Sequence, residues 1–127
     1  MTFIIVLFIV GILVLAVANS PLYSGVRKEF EKFQNKATVT YYFMEGCPHC
    51  EKFMPEWKKF KADPAAAGIT TREFSVNKDR AEIEKAKPRV SGFPTIHVEV
   101  NGKVEEYPGN RNSKDLLAFV DEMRKKN

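Results

Sequence analysis

The sequence predicts an α/β fold in which a central mixed β-sheet is flanked by helices. Segments rich in β-branched and aromatic residues alternate with amphipathic segments, which is typical of this class. The pair Asn101-Gly102 separates two short strand-like segments and predicts a type I′ hairpin, so the last two strands should be antiparallel. The length of 127 residues fits one such domain, preceded by an apolar N-terminal helix.

The N-terminal segment, residues 2–18, is apolar almost throughout. A helix of roughly 20 residues is about 30 Å long, which matches the hydrocarbon core of a bilayer. We therefore predict a single-pass transmembrane helix over residues 1–20, a linker over residues 21–25 and the folded domain over residues 26–127. A cleaved secretory signal peptide is the first alternative, because Ala16-Val17-Ala18 places small residues before a cut. The second alternative is a helix that is buried in the core of the folded domain.

The sequence gives conflicting indications of the side of the membrane on which the domain lies. Basic residues follow the apolar segment and none precedes it, which favours a domain in the cytosol. An oxidising site would instead suit a lumenal or extracytoplasmic compartment. We favour the lumenal side, with secretion after signal cleavage as the alternative.

The domain should begin with a helix, a strand and a second helix. Ala37 to Met44 is β-branched and aromatic and predicts a strand that leads to the cysteines. The next helix should run from Cys47 or Pro48 to about Ala62, with a kink at Pro55. The first helix is predicted over residues 26–36, where apolar side chains recur at helical spacing, namely Val26, Phe30 and Phe33.

The second half of the domain continues the alternation. Asn77 or Asp79 should cap a short polar helix, and Ser113 should cap the last helix. The predicted elements are, in order, a strand at residues 69–76, the polar helix at 79–86, the two hairpin strands at 95–100 and 103–107, and an amphipathic helix at 113–125.

Cys47 and Cys50 are the only cysteines in the sequence, and they are separated by two residues at the predicted start of a helix. Two thiols at this spacing can close a disulfide ring and exchange it with another thiol. Backbone N–H groups and the positive end of the helix dipole should stabilise a thiolate at Cys47, which we predict to be the attacking sulfur. Cys50, one turn further along, should be the buried resolving thiol.

The two residues between the cysteines should tune this pair. Pro48 stiffens the ring in the first helical turn, and a protonated His49 adds positive charge near Cys47. Each pKa unit of thiolate stabilisation favours the reduced form by about 1.4 kcal/mol. The disulfide is therefore expected to be a strong oxidant.

The cysteine pair has two other interpretations, a structural zinc site and a structural disulfide. A structural zinc site needs four ligands, whereas the other candidate ligand, His97, has no near partner in the sequence. A structural disulfide without turnover is the second alternative, and Pro48 and His49 at a helix start argue against it. We predict no metal and no cofactor other than the redox-active disulfide.

Over about residues 25–126, the chain resembles the thioredoxin superfamily, and more closely its disulfide-isomerase type of domain. The resemblance implies a thioredoxin-like fold and thiol-disulfide exchange. It rests on four features in order: Cys47-Pro48-His49-Cys50 after a strand, Pro55 in the helix that follows, residues 90–95 before the hairpin, and residues 107–111 before the last helix.

The resemblance implies roles for three further residues. Pro94 matches a cis-proline beside the active-site disulfide, and the Phe93 backbone would pair with an extended substrate as an added strand. Arg111 matches an arginine that can swing toward the site and favour a thiolate at the resolving cysteine. The alternatives are that Pro94 is an ordinary proline at the start of a strand and that Arg111 forms a salt bridge at the start of a helix.

The sequence departs from the family pattern at two positions. Tyr41 stands where the family commonly has a buried acid, so proton transfer at Cys50 should be slow or use another route. Gly46 replaces a tryptophan, which should open the site.

The predicted function is that of a membrane-attached protein thiol-disulfide oxidoreductase, with the oxidase or isomerase direction favoured. The alternatives are a cytosol-facing disulfide reductase and a non-catalytic, membrane-tethered binding module. We expect a monomer whose partners are protein thiols and disulfides and, through residues 2–18, a membrane. Nucleic acid is not expected, because the formal charge of +4 is spread among interspersed acidic and basic residues.

Overall fold

The computed structural model describes residues 1–18, 20–21, 24–28 and 36–127, in two units, Met1–Gln34 and Asn35–Asn127. In the first unit, helix α1 spans Thr2–Ala18 and none of its residues is buried. Residues 24–28 are also helical. Residues 29–35, which hold most of the helix predicted over 26–36, lie outside the described residues, and Lys36 is not helical.

The structure does not support the transmembrane helix predicted over residues 1–20. Helix α1 has 17 residues, which corresponds to about 25 Å, and it ends before Ser20. The backbone N–H and the hydroxyl of Ser20 both donate to the carbonyl oxygen of Val17. Within the described parts of the chain, we find no helix that is both long and apolar enough to cross a membrane.

The second unit contains a four-stranded sheet in the order β2-β1-β3-β4. The strands are β1 (Ala37–Phe43), β2 (Ile69–Ser75), β3 (Thr95–Val100) and β4 (Lys103–Glu106). Strand β1 is parallel to β2 and antiparallel to β3, and β3 is antiparallel to β4. Asn101 and Gly102 join β3 to β4 with positive φ values of 53° and 82°, as a type I′ turn requires. The predicted α/β class and mixed sheet are confirmed.

The hydrophobic core lies where the helices Pro48–Ala62 and Ser113–Lys126 pack together against the sheet. The helices of this unit are α2 (Pro48–Ala62), α3 (Arg80–Lys85) and α4 (Ser113–Lys126), with a short 3-10 turn at Pro64–Ala66. The largest fully buried side chains of the core are Trp57, Tyr41, Phe53, Phe60 and Leu116. Phe53, Trp57 and Phe60 belong to the helix that carries the cysteines, and Tyr41 of β1 packs against the first two.

The caps predicted for two helices, Asn77 or Asp79 for the first and Ser113 for the second, differ in part from those in the structure. Asn112, and not Ser113, is the N-cap of α4, because its side-chain oxygen accepts the N–H of Asp115 at 2.8 Å. Asp79 precedes α3 as predicted, but its carboxylate accepts the N–H of Ser75 at 2.9 Å instead of an N–H of the helix. Adjacent polar residues can each cap the same helix N-terminus, and their spacing in the sequence does not indicate which of them does so.

Candidate active site

The two cysteines lie at the N-terminus of α2, directly after β1. Gly46 has a φ of 74°, in the left-handed region that glycine adopts without steric cost, and this turns the chain toward the helix. Cys47 is the N-cap, with extended backbone angles, and Pro48 is the first helical residue. Cys50 follows within the first turn, so both sulfurs belong to the same helix end.

Cys47 lies among hydrogen-bond donors. Its Sγ accepts the backbone N–H of Cys50 at 3.4 Å and lies 3.9 Å from the carbonyl oxygen of Phe93. The pKa of Cys47 is lowered below its ordinary value, first by a hydrogen bond with the Cys50 thiol and then by the backbone N–H groups of Cys50 and His49. The arrangement favours a thiolate at Cys47.

Cys50 has the opposite electrostatic environment. The residue is 3 % exposed, and burial, followed by the hydrogen bond with Cys47, raises the pKa of its thiol to about 11. Both cysteines are free thiols in the structure. The pair therefore loses its first proton from Cys47, while Cys50 keeps its own proton to higher pH.

Alkylation of the reduced protein should report this difference. Because the thiolate is the nucleophile, we expect the iodoacetamide reaction at Cys47 to have a midpoint below pH 9.0, the ordinary thiol pKa. Cys50 should stay unmodified until the pH approaches its pKa of about 11. Mass spectrometry of peptides alkylated across a pH series measures both sites, with Cys47→Ser as the control that isolates Cys50. A Cys47 midpoint at or above 9.0 would contradict the assignment.

Tyr41 is the buried residue that lies against the resolving cysteine. Its hydroxyl donates to the carbonyl oxygen of Cys50 at 3.2 Å, and its ring packs 5.1 Å from Phe53 and 5.3 Å from Trp57 between centroids. Burial raises the pKa of Tyr41 above its usual value. The phenol is therefore a hydrogen-bond donor at neutral pH and cannot act as the base for Cys50.

The structure brings three of the predicted site residues to one loop. The Phe93-Pro94 peptide bond is cis, Pro94 is buried, and the Phe93 carbonyl faces the Cys47 sulfur. Arg111 is exposed, and its guanidinium donates to the carbonyl oxygen of Pro94 at 3.4 Å. His49 is exposed and contributes its backbone N–H to Cys47. Arg111 thus contacts the loop that holds Phe93 and Pro94, next to the cysteine pair.

The sequence did not predict one feature of the site, a groove beside Cys50. Met44 and Met54 line a groove beside Cys50, and helical or strand periodicity gives no signal for such a groove because it forms between elements. In the described ranges, no cluster of three or more His, Cys, Asp or Glu side chains is placed to hold a metal ion.

A mixed α/β sheet with a cysteine pair at the N-terminus of the helix after its central strand defines a thioredoxin-fold dithiol protein. The thioredoxin family model matches residues 23–122. The chain belongs to the thioredoxin family, as a domain of the protein disulfide isomerase type.

Curated proteins that are similar to the chain include protein disulfide isomerases. Protein disulfide-isomerase erp38 of Neurospora crassa is 34% identical over 94 residues, which cover 69% of this chain and 25% of that protein. Human protein disulfide-isomerase A4 is 28% identical over 115 residues, which cover 89% of this chain and 16% of that protein. The chain therefore spans a quarter or less of the length of these relatives.

A solved structure shows the same fold. The first thioredoxin domain of mouse protein disulfide-isomerase A4 superimposes with a TM-score of 0.57 at 24% sequence identity, over 76% of this chain and 71% of that one.

Proposed function

We propose that this protein is a thiol-disulfide oxidoreductase that exchanges a Cys47-Cys50 disulfide with protein thiols, in the oxidase or isomerase direction. The observation that carries the proposal is the opposite environment of the two thiols. The pKa of Cys47 is lowered by hydrogen bonds at the helix N-terminus, whereas burial raises the pKa of Cys50 to about 11. One sulfur is suited to attack and to leave, and the other is suited to hold a proton.

In the oxidising direction, a substrate thiolate attacks Cys47 Sγ and forms a mixed disulfide. The bond from Cys47 to Cys50 breaks, and Cys50 leaves as a thiolate that takes up a proton. A second thiolate of the substrate then attacks the substrate sulfur, forms the substrate disulfide and releases Cys47 as a thiolate. Two electrons have moved from the substrate to the protein, which is left as a dithiol.

The loop of Phe93 and Pro94 is the proposed substrate edge. It lies against the Cys47 sulfur, so an extended substrate segment bound there would place its cysteine within reach of that sulfur. Arg111, held at the Pro94 carbonyl, is the proposed residue that moves toward Cys50 and stabilises its thiolate as it leaves. The loop of Phe93 and Pro94 thus positions the substrate at Cys47, whereas Arg111 stabilises the thiolate of Cys50.

The reduction potential tests the direction of exchange. A lowered Cys47 pKa stabilises the dithiol form at pH values above that pKa, so the disulfide should be more oxidising than that of thioredoxin, at about −270 mV. Equilibration with glutathione buffers, followed by alkylation and mass measurement, gives the potential. His49→Ala should shift it toward more reducing values, because it removes an imidazole that adds positive charge near Cys47 when it is protonated. A potential as reducing as that of thioredoxin would reject the oxidising direction.

We further propose that the domain works in a lumenal or extracytoplasmic compartment and that residues 1–18 are an export signal removed at Ala18. The support is an uncharged apolar segment that ends in Ala16-Val17-Ala18, together with an oxidising site that such compartments favour. The intact mass of the chain recovered from expressing cells should then lack this segment. A mass that retains it would reject cleavage.

A further inference from the structure

The hydroxyl of Tyr41 lies against both the backbone and the side chain of Cys50. It donates to the Cys50 carbonyl oxygen at 3.2 Å, and it also forms a hydrogen bond with the Cys50 thiol. Tyr41 has 0 % exposure and Cys50 has 3 %, so water does not compete for the hydroxyl. The hydroxyl therefore has two acceptors within reach, one oxygen and one sulfur.

The Cys50 carbonyl does not require the hydrogen bond from Tyr41. Cys50 lies in the first turn of α2, which continues to Ala62, so helix geometry gives its carbonyl oxygen the N–H of Met54 as a donor. The O–H bond of a tyrosine rotates to suit its acceptor. The Tyr41 hydroxyl can therefore turn from the oxygen to the sulfur without leaving a buried carbonyl unpaired.

The ring of Tyr41 is held in place by aromatic neighbours. Its centroid lies 5.3 Å from that of Phe43, 5.1 Å from that of Phe53 and 5.3 Å from that of Trp57. A donor that is fixed beforehand stabilises developing charge without a cost of reorganisation at the moment of reaction. The packing of Tyr41 thus meets a requirement for electrostatic catalysis at Cys50.

We propose that Tyr41 is a further catalytic residue of the exchange reaction, and that its hydroxyl donates a hydrogen bond to the Cys50 sulfur whenever that sulfur carries negative charge. This inference rests on the proposed exchange function. The charge appears when Cys50 leaves the disulfide with Cys47, and again when Cys50 attacks a mixed disulfide on Cys47. The two events are one step in opposite directions, so the hydrogen bond accelerates both.

Tyr41 keeps its proton during this step. When a substrate thiolate attacks Cys47 Sγ, the electron pair of the broken sulfur–sulfur bond stays on Cys50 Sγ. Burial raises the pKa of Tyr41 above its ordinary value, so the phenol donates a hydrogen bond and does not ionise. The Cys50 thiol has a pKa of about 11, so the departing thiolate takes up a proton from water at neutral pH.

The other groups around Cys50 do not replace this donor. Cys47 has no proton to donate while it carries the substrate, and Glu73, which pairs with Tyr41 in the register of β2, is a carboxylate that only accepts. Arg111 is exposed and held at a loop carbonyl, so it must move before it reaches the sulfur. The remaining charged side chains that border Cys50 are exposed, namely Glu45, Glu51 and Lys58.

Tyr41→Phe removes the hydroxyl and retains the ring. The reduced full chain is mixed with a large excess of glutathione disulfide, and acid-quenched samples are analysed by mass spectrometry for glutathione on Cys47. The decay of this mixed disulfide, in which Cys50 attacks, should be about three- to tenfold slower in the variant. A hydrogen bond to a full thiolate changes its stability by about ten- to a hundredfold, and the transition state carries roughly half of that charge.

Tyr42→Phe is the matched control. Tyr42 is the neighbouring tyrosine of β1 and is 6 % exposed, but its ring contacts His97 and Phe74 and not the cysteine pair. The control protein should resolve the mixed disulfide at the wild-type rate. An equal slowing in both variants would assign the effect to the stability of the domain and would overturn the role of Tyr41.

Two further measurements distinguish a lost hydrogen bond from loosened packing. With Cys47→Ser as the background, Tyr41→Phe should slow the alkylation of Cys50 by about threefold or more at pH values below its pKa of about 11. Loosened packing would admit water and accelerate the same reaction. The reduction potential at neutral pH should stay unchanged, because Cys50 is uncharged in both the disulfide and the dithiol.

The outcomes separate the role of Tyr41 from the exchange function. Resolution at the wild-type rate in Tyr41→Phe, or faster alkylation of Cys50, would overturn the catalytic role and leave the exchange function standing. A shifted reduction potential would also overturn it, since the hydroxyl would then act on a stable state. A wild-type protein that forms no mixed disulfide with glutathione would overturn the exchange function itself.

Discussion

Cys47→Ser should lower the rate of insulin reduction by about a thousandfold or more, to the background of the reductant alone. A serine hydroxyl is not ionised at neutral pH and forms no disulfide, so neither direction of exchange can begin. Cys50→Ser should keep the first step and accumulate mixed disulfides, because Cys47 still attacks but no internal thiol resolves the product. Turbidity of insulin measures turnover, and non-reducing electrophoresis detects the trapped species.

The paired variants decide which sulfur reacts with the substrate. Both substitutions replace sulfur by oxygen at the same helix end, so each is the other's structural control. Their unfolding midpoints should be compared with that of the wild-type protein before activities are interpreted. Mixed disulfides that form through Cys50 in the Cys47→Ser protein would reverse the assignment of attacking and resolving thiols.

The parts of the fold that the sequence predicted correctly are those with strong local chemistry. The Asn101-Gly102 pair specifies a turn with positive φ at both positions, and the structure has φ values of 53° and 82° there. Pro48 cannot donate a backbone N–H and therefore marks the first position of α2. The position of the two cysteines could be predicted from the sequence because the end of β1, the turn at Gly46 and the start of α2 follow one another within a few residues.

The parts that the sequence did not predict depend on particular hydrogen bonds and on how the elements pack. The end of α1 is set where Ser20 binds back to Val17, which apolar composition alone does not reveal. Tyr41 was identified as a departure from the family pattern, but its hydrogen bond to Cys50 depends on how β1 packs under α2. The groove at Met44 is likewise lined by residues of separate elements, the end of β1 and the first turns of α2.

Trp57→Ala should destabilise the domain by about 3 to 5 kcal/mol, the usual cost of truncating a large buried aromatic residue. Trp57 has 0 % exposure, and its ring lies 5.3 Å from that of Tyr41 and 5.4 Å from that of Phe60. Its indole N–H donates to Glu73 at 2.6 Å. Urea unfolding followed by circular dichroism measures the loss, since the protein has one tryptophan and loses its fluorescence signal with it.

Trp57→Phe separates ring packing from the hydrogen bond. It retains most of the aromatic contact and removes the indole N–H, while Glu73 keeps its ion pair with Lys61 and is partly solvated. We expect a loss of about 1 to 2 kcal/mol, well below that of Trp57→Ala. Equal losses in the two variants would assign the stability to the hydrogen bond.

The same comparison extends to the reactive site, because Trp57 packs on Tyr41 and the Tyr41 hydroxyl holds the Cys50 carbonyl. Looser packing at Trp57 should admit water to Cys50, and the burial that keeps its pKa at about 11 would be reduced. Alkylation of Cys50 should then begin at lower pH in Trp57→Ala than in Trp57→Phe. An unchanged Cys50 profile in a folded Trp57→Ala protein would show that the resolving thiol is shielded by the first turn of α2 alone.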